Sequence, residues 1–290
     1  MMRKMIFIRA AAVCAVMALG FSVSCKKNAE RTMVTFFMGT VEVLRNGASV
    51  KPAIKMEIQD GDVIAAGPES FILLQVAESM VIRITEGSTV EMKSLLSPKN
   101  RELLVRRGKA LSAVRKLGKD GAFTVKTATI TASVRGTEFS VSSRPKESVV
   151  AVRKGTVEVT VIASGTGETV GEGKAFVYTD RAATRTVTAA EDRELEMIGA
   201  IPAIPGLGEK TEQEIRDIIL PLLGDSGIAA MTLDEVKEKY RRTDTVILYD
   251  GRIITGVIIS RGPVFAIMTA KGVVSVPEKK IRNTRVTPLR

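Results

Sequence analysis

The sequence predicts a mainly β protein, with a large β domain, a short helical region and a small β module at the C-terminus. Short runs of β-branched and aliphatic residues follow one another from Val34 to Tyr178, which is the pattern of half-buried strands. The dipeptides Asn46-Gly47, Asp60-Gly61 and Asp120-Gly121 separate these runs and favour tight reversals. Short strands with frequent turns predict a β-sandwich, a β-roll or a short β-helix.

The first 24 residues have the pattern of an export signal. Arg3, Lys4 and Arg9 precede an apolar segment that ends near Val23 and is too short to span a bilayer as a mature helix. The junction that follows is similar to a lipobox, and this resemblance implies that Cys25 carries lipid and becomes the first residue of the mature chain. An ordinary signal peptide with an incidental cysteine is the alternative.

Composition limits both the partners and the chemistry. The chain has 43 Lys and Arg against 32 Asp and Glu, a net charge of +11, and it has no histidine. A basic exported protein suits anionic lipid headgroups or acidic wall polymers, whereas a nucleic-acid partner conflicts with export; evenly spread surface lysines are the alternative. The lack of histidine excludes histidine-based nucleophile systems, zinc sites and general bases. We expect no cofactor and no metal.

The most distinctive stretch runs from Thr127 to Val141. It reads as a strand rich in β-branched residues, a turn and a second strand, in which Phe139 and Val141 share one face. Gly136 can adopt a positive φ and is the predicted corner between the strands. Arg135, just before this corner, is an isolated charge in an uncharged run.

This stretch resembles the signature of the FecR domain, a periplasmic domain first known from ferric-citrate signalling. The residues that match are Thr127, Val134, Arg135, Gly136, Thr137 and Phe139, whereas Ala128 stands where the family usually has proline. A second family element, a Gly-Asp pair followed by an apolar residue, is matched by Gly61, Asp62 and Ile64. The resemblance covers about half the chain and implies a FecR-type β fold in the cell envelope, with these motif residues in structural roles.

Sigma-factor control, known for signalling members of that family, is not expected here. In those members a transmembrane helix joins the domain to a cytoplasmic segment that controls a sigma factor. The only membrane segment predicted in this chain is its cleavable signal. The function that the resemblance still implies is recognition of a protein or wall ligand by the surfaces of the β domain. One way to bind such a ligand is the addition of a strand to a sheet edge.

Two roles for Arg135 follow from its position. In the first, it is at least half-buried and joins the turn to another strand through Asp62 or, locally, through Glu138. In the second, it projects to solvent and contacts a partner. Its uncharged, β-branched neighbours favour the first role, and we expect an ion pair between Arg135 and Asp62.

A short pattern occurs more than once along the β region. Gly39-Thr40-Val41-Glu42-Val43 returns as Gly155-Thr156-Val157-Glu158-Val159, with a weaker copy at Thr89-Val90-Glu91-Met92; Gly108-Lys109-Ala110 returns as Gly173-Lys174-Ala175. The spacings are unequal, which argues against a regular solenoid. We predict similar strand beginnings within one β structure, with valines inward and glutamates outward; an acidic ladder formed by the glutamates is the alternative.

After residue 181, the alternation of apolar and polar residues gives way to the spacing of apolar residues that is typical of helices. The segment Ile201–Gly206 is rich in proline and glycine, cannot continue a helix and is predicted to be an exposed linker. Thr211 and Thr232 each begin a capping-box sequence, which predicts two short helices ending near Pro221 and Arg241.

Residues 243–290 predict a small five-stranded β-barrel. The spacing of one set of residues is similar to that of Sm-like barrels; they are Asp244, Val246, Leu248, Asp250, Gly251 and Gly256. The resemblance implies a fold only, because the RNA binding associated with Sm proteins conflicts with export. The predicted organisation is therefore a signal peptide (1–24), a lipidated tether (25–33), a FecR-type β domain (34–180), a helical linker region (181–242) and the small barrel.

These features predict a lipid-anchored binding or scaffold protein of the cell envelope, facing the periplasm or the cell surface, with a protein or wall ligand as partner. The alternative is an enzyme that acts on a wall polymer through paired carboxylates; the candidate acids are Asp60, Asp62, Glu86 and Glu91. Glycosidase chemistry needs two carboxylates facing each other across a cleft, whereas an Asp-Gly-Asp turn more simply bonds nearby amides. We therefore expect a binding protein and not an enzyme.

Lipidation of Cys25 can be tested by metabolic labelling with a clickable fatty acid in cells that make the chain. The wild-type protein should carry the label, and Cys25→Ala should abolish it because no other cysteine follows the signal segment. An unchanged label in Cys25→Ala would rule out lipid at this residue.

Overall fold

The computed structural model describes residues 31–289 except 96, 98, 116, 119–120, 224–233, 235–236, 238–240, 261–263 and 270–271. Its regular structure within these limits consists of twenty-two strands, two α-helices and one short 3-10 helix. The signal segment, Cys25 and most of the helix predicted after Thr232 lie outside the described residues.

Seventeen strands between residues 32 and 186 form two sheets. They are β1 (Thr32–Met38), β2 (Val41–Arg45), β3 (Ala48–Val50), β4 (Glu57–Ile58), β5 (Val63–Ala66), β6 (Phe71–Val76), β7 (Met80–Ile84), β8 (Thr89–Ser94), β9 (Asn100–Val114), β10 (Ala122–Lys126), β11 (Ile130–Val134), β12 (Glu138–Arg144), β13 (Glu147–Lys154), β14 (Val157–Val161), β15 (Gly167–Val170), β16 (Lys174–Tyr178) and β17 (Ala182–Thr186). The first sheet has the order β4-β1-β6-β7-β9-β12-β13-β16-β17. The second has the order β3-β2-β5-β8-β9-β10-β11-β14-β15. The predicted mainly β fold is confirmed.

The long strand β9 joins the two sheets. Its first half pairs with β8 and β10 in the second sheet, and its second half, from Gly108 onward, pairs with β7 and β12 in the first sheet. The pairing with β10 is parallel, while the other pairings of these sheets are antiparallel. One continuous strand therefore fixes the position of each sheet relative to the other.

The repeated sequence pattern marks places where the chain crosses between the sheets. The chain leaves the first sheet for the second at Gly39 and again at Gly155, the first residues of the two full copies. The valines that follow are buried, whereas Glu42 and Glu158 are exposed, as predicted. In the weaker copy Glu91 is buried, so the alternation holds there less strictly.

The crossing at Gly155 passes close to the backbone of another segment. Its φ is +89°, and a Cβ atom at this position would lie 2.8 Å from the carbonyl oxygen of Gly136. Any side chain there would combine an unfavourable left-handed backbone with a backbone clash. This crossing and the predicted corner at Gly136 are therefore packed against each other.

Two apolar layers bury the first sheet. The inner layer includes side chains from both sheets, among them Leu74, Val90 and Phe139. The outer layer packs the opposite face of the first sheet under α1 (Ala189–Ala200) and α2 (Glu212–Leu223), in a cluster that includes Leu73, Leu195 and Ile215. This arrangement explains why the apolar strand β6 is buried along its whole length. Neither α-helix has the length and apolar character needed to cross a membrane.

The start of α1 is tied to the edge strand β17. Thr188 and Glu191 form a capping box, with Glu191 accepting from the Thr188 amide at 2.9 Å and donating its own amide to the Thr188 hydroxyl at 3.2 Å. Arg185 of β17 holds the same carboxylate with two bonds of 2.7 and 2.8 Å. Chiefly because of Arg185, the pKa of Glu191 falls from its ordinary value of 4.5 to about 2. The carboxylate therefore stays ionised and joins the helix to the sheet.

The proline- and glycine-rich segment between the helices is packed, contrary to the prediction of an exposed linker. Ile201, Ala203, Ile204 and Leu207 are all buried in the outer apolar layer. The amide and the carbonyl of Ile204 both bond the buried side chain of Gln75, at 2.7 and 2.9 Å. Local composition signals the break in the helix but carries no information about burial. Where the boundaries between folding units fall stays a prediction.

Five further strands form a separate small sheet at the C-terminus. They are β18 (Arg242–Leu248), β19 (Ile253–Ser260), β20 (Val264–Thr269), β21 (Gly272–Pro277) and β22 (Ile281–Pro288), with the order β21-β20-β19-β18-β22 and a core of their own. β19 changes partner at Gly256, where a Cβ would overlap the carbonyl oxygen of Met268. The prediction of a closed barrel is wrong for the described residues, because β22 pairs with β18 and no ladder joins β22 to β21.

The close crossing at Gly155 predicts a large loss of stability for Gly155→Ala. We expect the variant to lose about 3 kcal/mol of unfolding free energy in urea, followed by circular dichroism, because backbone strain and a clash add together. Gly61→Ala is the matched control: Gly61 has a φ of +91° but nothing lies within 4 Å of its added Cβ, so it should lose only about 1 kcal/mol. Equal losses in both variants would contradict the proposed packing.

Candidate functional site

The corner between β11 and β12, residues 134–139, is held from several sides. Val134 and Phe139 are buried, and the Phe139 ring meets Phe123 edge-on with ring centroids 6.1 Å apart. Thr137 is also buried, and its hydroxyl donates to the carbonyl oxygen of Thr156 at 3.0 Å. These contacts join the corner to the inner apolar layer and to the crossing at Gly155.

Backbone pairing fixes the same corner to the end of β9. The amide and the carbonyl of Thr137 exchange two hydrogen bonds of 3.0 Å with those of Val114. The carbonyl of Arg135 accepts from the amide of Leu117 at 2.7 Å. The main chain of the corner is therefore anchored on both sides of Gly136.

Arg135 itself is exposed, so the expectation of a half-buried side chain is wrong. Both carboxylates proposed as its partners are held by other arginines. Asp62 pairs with Arg45, and Glu138 pairs with Arg153 at 2.9 Å. The fixed backbone thus presents the Arg135 guanidinium, with its five donors, to solvent.

Asp62 forms a buried ion pair that closes a different part of the fold. Only 1% of its side chain is exposed, and its two oxygens accept from Arg45 Nε at 2.9 Å and Nη2 at 2.7 Å. The backbone amide of Gln59 also donates to the Asp62 carboxylate, at 2.9 Å. Gly61, in the left-handed region, makes the turn that places Asp62 opposite the end of β2. The Gly-Asp element is thereby separated from Arg135.

Arg135 lines a cleft together with two other cations, Arg115 and Lys154. Arg115 follows β9 and Lys154 ends β13; both are exposed. The cleft has a volume of ≈ 510 Å³, and its other lining residues are Val114, Gly136, Thr137 and Glu138. Among the described residues, none of the three cations forms an ion pair. We call Arg115, Arg135 and Lys154 the corner cations.

Neighbouring cations on the same side of the domain are neutralised. Lys109 pairs with Glu194 of α1 at 2.5 Å, and Arg153 lies between Glu138 and Asp192, the latter 3.7 Å away. The helical region as a whole is acidic, with 12 Asp and Glu against 7 Lys and Arg in residues 181–240. The acids of α1 therefore neutralise Lys109 and Arg153 but form no ion pair with the corner cations within the part of the chain that the structure describes.

The carboxylates considered for enzymatic chemistry have local structural contacts instead. Asp60 accepts from the Leu95 amide at 2.8 Å, and Glu86 from the Glu69 amide at 2.8 Å. Glu91 pairs with Lys93 and Arg106, each at 2.5 Å, and the first of these contacts is the main reason why the pKa of Glu91 lies below its ordinary value. A general acid needs a raised pKa, so Glu91 is not suited to that role.

Sequence reasoning named Arg135 as a candidate contact residue but missed Arg115 and Lys154. Lys154 has a sequence signal in retrospect, because it stands immediately before the crossing Gly155 as Arg135 stands before Gly136. Arg115 has no comparable signal, since its position depends on how β9 ends against the corner.

Comparison with known proteins identifies part of the chain. Residues 62–158 match the family described as FecR protein, so the chain carries a FecR domain. Two crystal structures of a "putative anti-sigma factor" from Parabacteroides distasonis are similar, each at 15% identity with a TM-score of 0.41. The similarity covers 47% of this chain and 62% and 63% of those chains, less than two thirds of their length. No curated protein matches the chain.

Because Asp62 is buried and paired whereas Arg135 is exposed, we predict a large loss of stability when the Asp62 pair is broken and almost none when Arg135 is replaced. Arg45→Met should lose about 3 kcal/mol of unfolding free energy, because it leaves the buried Asp62 carboxylate without its partner. Asp62→Asn should lose less, about 2 kcal/mol, because the Arg45 side chain that it leaves unpaired is 25% exposed. In a double-mutant cycle in urea, their losses should be strongly non-additive. Arg135→Met should stay within about 0.5 kcal/mol of wild type.

The cycle between Arg135→Met and Asp62→Asn is the internal control, because the two side chains are not paired and their effects should add. A loss of several kcal/mol in Arg135→Met, or strong coupling between Arg135 and Asp62, would contradict the contacts described above.

Proposed function

We propose that this chain, which carries a FecR domain, is a lipid-anchored binding protein of the cell envelope that recognises a negatively charged protein or wall ligand through the corner cations. The observation that carries the proposal is a set of three exposed cations around one cleft on an anchored backbone, none of which forms an ion pair with a described residue. Charge-assisted hydrogen bonds from such groups to carboxylate or phosphate are among the stronger polar contacts of proteins.

The anchored corner favours a binding role for these cations. A ligand gains most when the groups that contact it need little ordering on binding. Here the corner backbone is fixed by the bond from Leu117 to Arg135 and by the bonds between Val114 and Thr137, so the corner itself loses mainly side-chain freedom when a ligand binds. The cations also raise the rate of encounter with an anionic partner, an effect that salt weakens.

The location in the proposal rests on the sequence. The export signal and Cys25 support an anchored protein that faces the periplasm or the cell surface. The FecR match supports a role related to envelope signalling, in which ligand recognition by this domain is one step. No observation favours the enzymatic alternative, because each candidate carboxylate is engaged in holding the fold.

Site-specific photo-crosslinking in cells that make the chain tests this proposal. A crosslinking residue in place of Glu172 is suitable, since Glu172 is exposed and lies with Lys154 in the depression next to the cleft. The corner cations stay intact in this variant. A crosslinking residue in place of exposed Lys146, in the β12–β13 turn, is the control for non-specific capture.

We expect a defined product from position 172 and none of the same mass from position 146. Adding Arg135→Gln should lower the yield about tenfold, because a charge-assisted contact is lost. Lys51→Gln, which removes an exposed charge elsewhere on the domain, should leave the yield unchanged. A yield that is insensitive to Arg135→Gln would refute recognition through the corner cations.

A further inference from the structure

The C-terminal part of the chain holds most of its net positive charge. Residues 241–290 contain ten Lys and Arg and three Asp and Glu, a net charge of +7 out of +11 for the whole sequence. The preceding helical region is net negative. Charge is therefore segregated along the chain, which differs from the even spread of an ordinary soluble surface.

The same part of the chain exposes most of the large apolar side chains found at the surface. Five such side chains are exposed among the described residues, and four of them lie in this part of the chain: Tyr249, Ile253, Val286 and Leu289. Tyr249 is 72% exposed and Ile253 is 64% exposed, more than any of the others. Exposed apolar groups concentrated in one small module indicate an interaction surface.

Tyr249 and Ile253 lie at one end of the sheet together with several cations. The amide of Tyr249 donates to the carbonyl of Lys280 at 3.0 Å, which brings the β18–β19 turn next to the 3-10 helix Glu278–Lys280. Lys279, Lys280 and Arg282 are exposed there. We call this end, residues 249–253 with 278–282, the basic tip.

Acidic groups at the basic tip are fewer than the cations. Asp250 is paired with Arg252 at 2.7 Å, and Glu278 is exposed. Lys279, Lys280 and Arg282 form no ion pair with any residue that the structure describes. The tip thus combines an apolar turn with a surplus of unpaired positive charge.

We propose that the basic tip docks on a lipid bilayer surface that carries anionic headgroups. Tyr249 and Ile253 enter the interface between headgroups and acyl chains, where tyrosine places its ring in an apolar layer and its hydroxyl in water. Lys279, Lys280 and Arg282 meet the anionic headgroups. This docking does not depend on the corner cations or on their ligand.

Other occupants fit the tip less well. A second copy of this sheet would bring like charges together. A soluble anionic polymer would satisfy the cations but gains nothing from an exposed tyrosine and isoleucine on the two sides of the turn. The acidic residues of α1 already pair with Lys109 and Arg153 of the β domain. A bilayer surface alone uses both properties of the tip.

A second membrane contact has a clear physical use in an anchored protein. The lipid predicted at Cys25 would hold only the N-terminal end of the chain at the membrane. Once one end of the chain is attached, the tip binds at a high effective concentration. Docking would then hold the β domain close to the membrane.

Vesicle co-sedimentation of the chain from residue 26 onward tests the proposal, because this form lacks Cys25 and cannot carry lipid. The probes are vesicles of phosphatidylcholine alone and of phosphatidylcholine with an equal amount of phosphatidylglycerol. We expect binding to the second kind only, and a decrease as salt is raised.

Two double variants separate the roles of charge and apolar contact. Lys279→Gln with Lys280→Gln, and Tyr249→Ser with Ile253→Ser, should each lower the partition coefficient about tenfold. The matched controls on the β domain are Lys51→Gln with Lys146→Gln for charge and Ile162→Ser for an exposed apolar side chain, and both should bind like wild type. Thermal unfolding checks that each variant is folded. We expect all of them to fold, because the replaced side chains are exposed.

Three outcomes would overturn the proposal: no binding to the anionic vesicles at low salt, equal binding to both kinds of vesicle, or a Tyr249/Ile253 variant that binds as well as wild type. The last outcome would show that the tip binds anionic surfaces through charge alone and that Tyr249 and Ile253 take no part in docking.

Discussion

The pairing of Thr137 with Val114 is the constraint on which the candidate site depends. It joins the corner after β11 to the end of β9, the strand that the two sheets share. The close approach of Gly155 to the Gly136 carbonyl locks the same corner from the other side. Because the backbone is held by these contacts, the Arg135 side chain is not needed for stability and is available for a partner.

Some cations of this fold are neutralised in ion pairs, whereas others are exposed and form no ion pair with a described residue. The acids of α1 neutralise Lys109 and Arg153, and the buried Arg45–Asp62 pair closes the turn at Gly61. Among the exposed cations that form no ion pair with a described residue, two groups stand close together in space, the corner cations and the basic tip. Net charge alone would suggest one diffuse basic surface, whereas the structure separates a cleft on the β domain from an apolar-and-basic turn on the C-terminal sheet.

Local patterns predicted the strand-rich fold, the capping box at Thr211 and the burial of the valines after Gly39 and Gly155. The partner of Asp62 could not be predicted, because it depends on β2 lying beside β5, which places Arg45 next to Asp62. The burial of Ile201 and Ile204 likewise depends on the outer face of a sheet formed by distant strands. The corner cations come from three separate segments, so only the assembled fold brings them to one cleft.

Amide hydrogen exchange at the corner tests the central claim most directly, namely that an anchored backbone presents a free Arg135. The amides of Thr137 and Val114, which donate to each other's carbonyls, should exchange only through unfolding of the whole domain. Their opening free energies should be the same in wild type and in Arg135→Met. Rapid exchange of Thr137 through local opening, or a drop in its protection in Arg135→Met, would show that the corner is loose and that Arg135 helps to hold it.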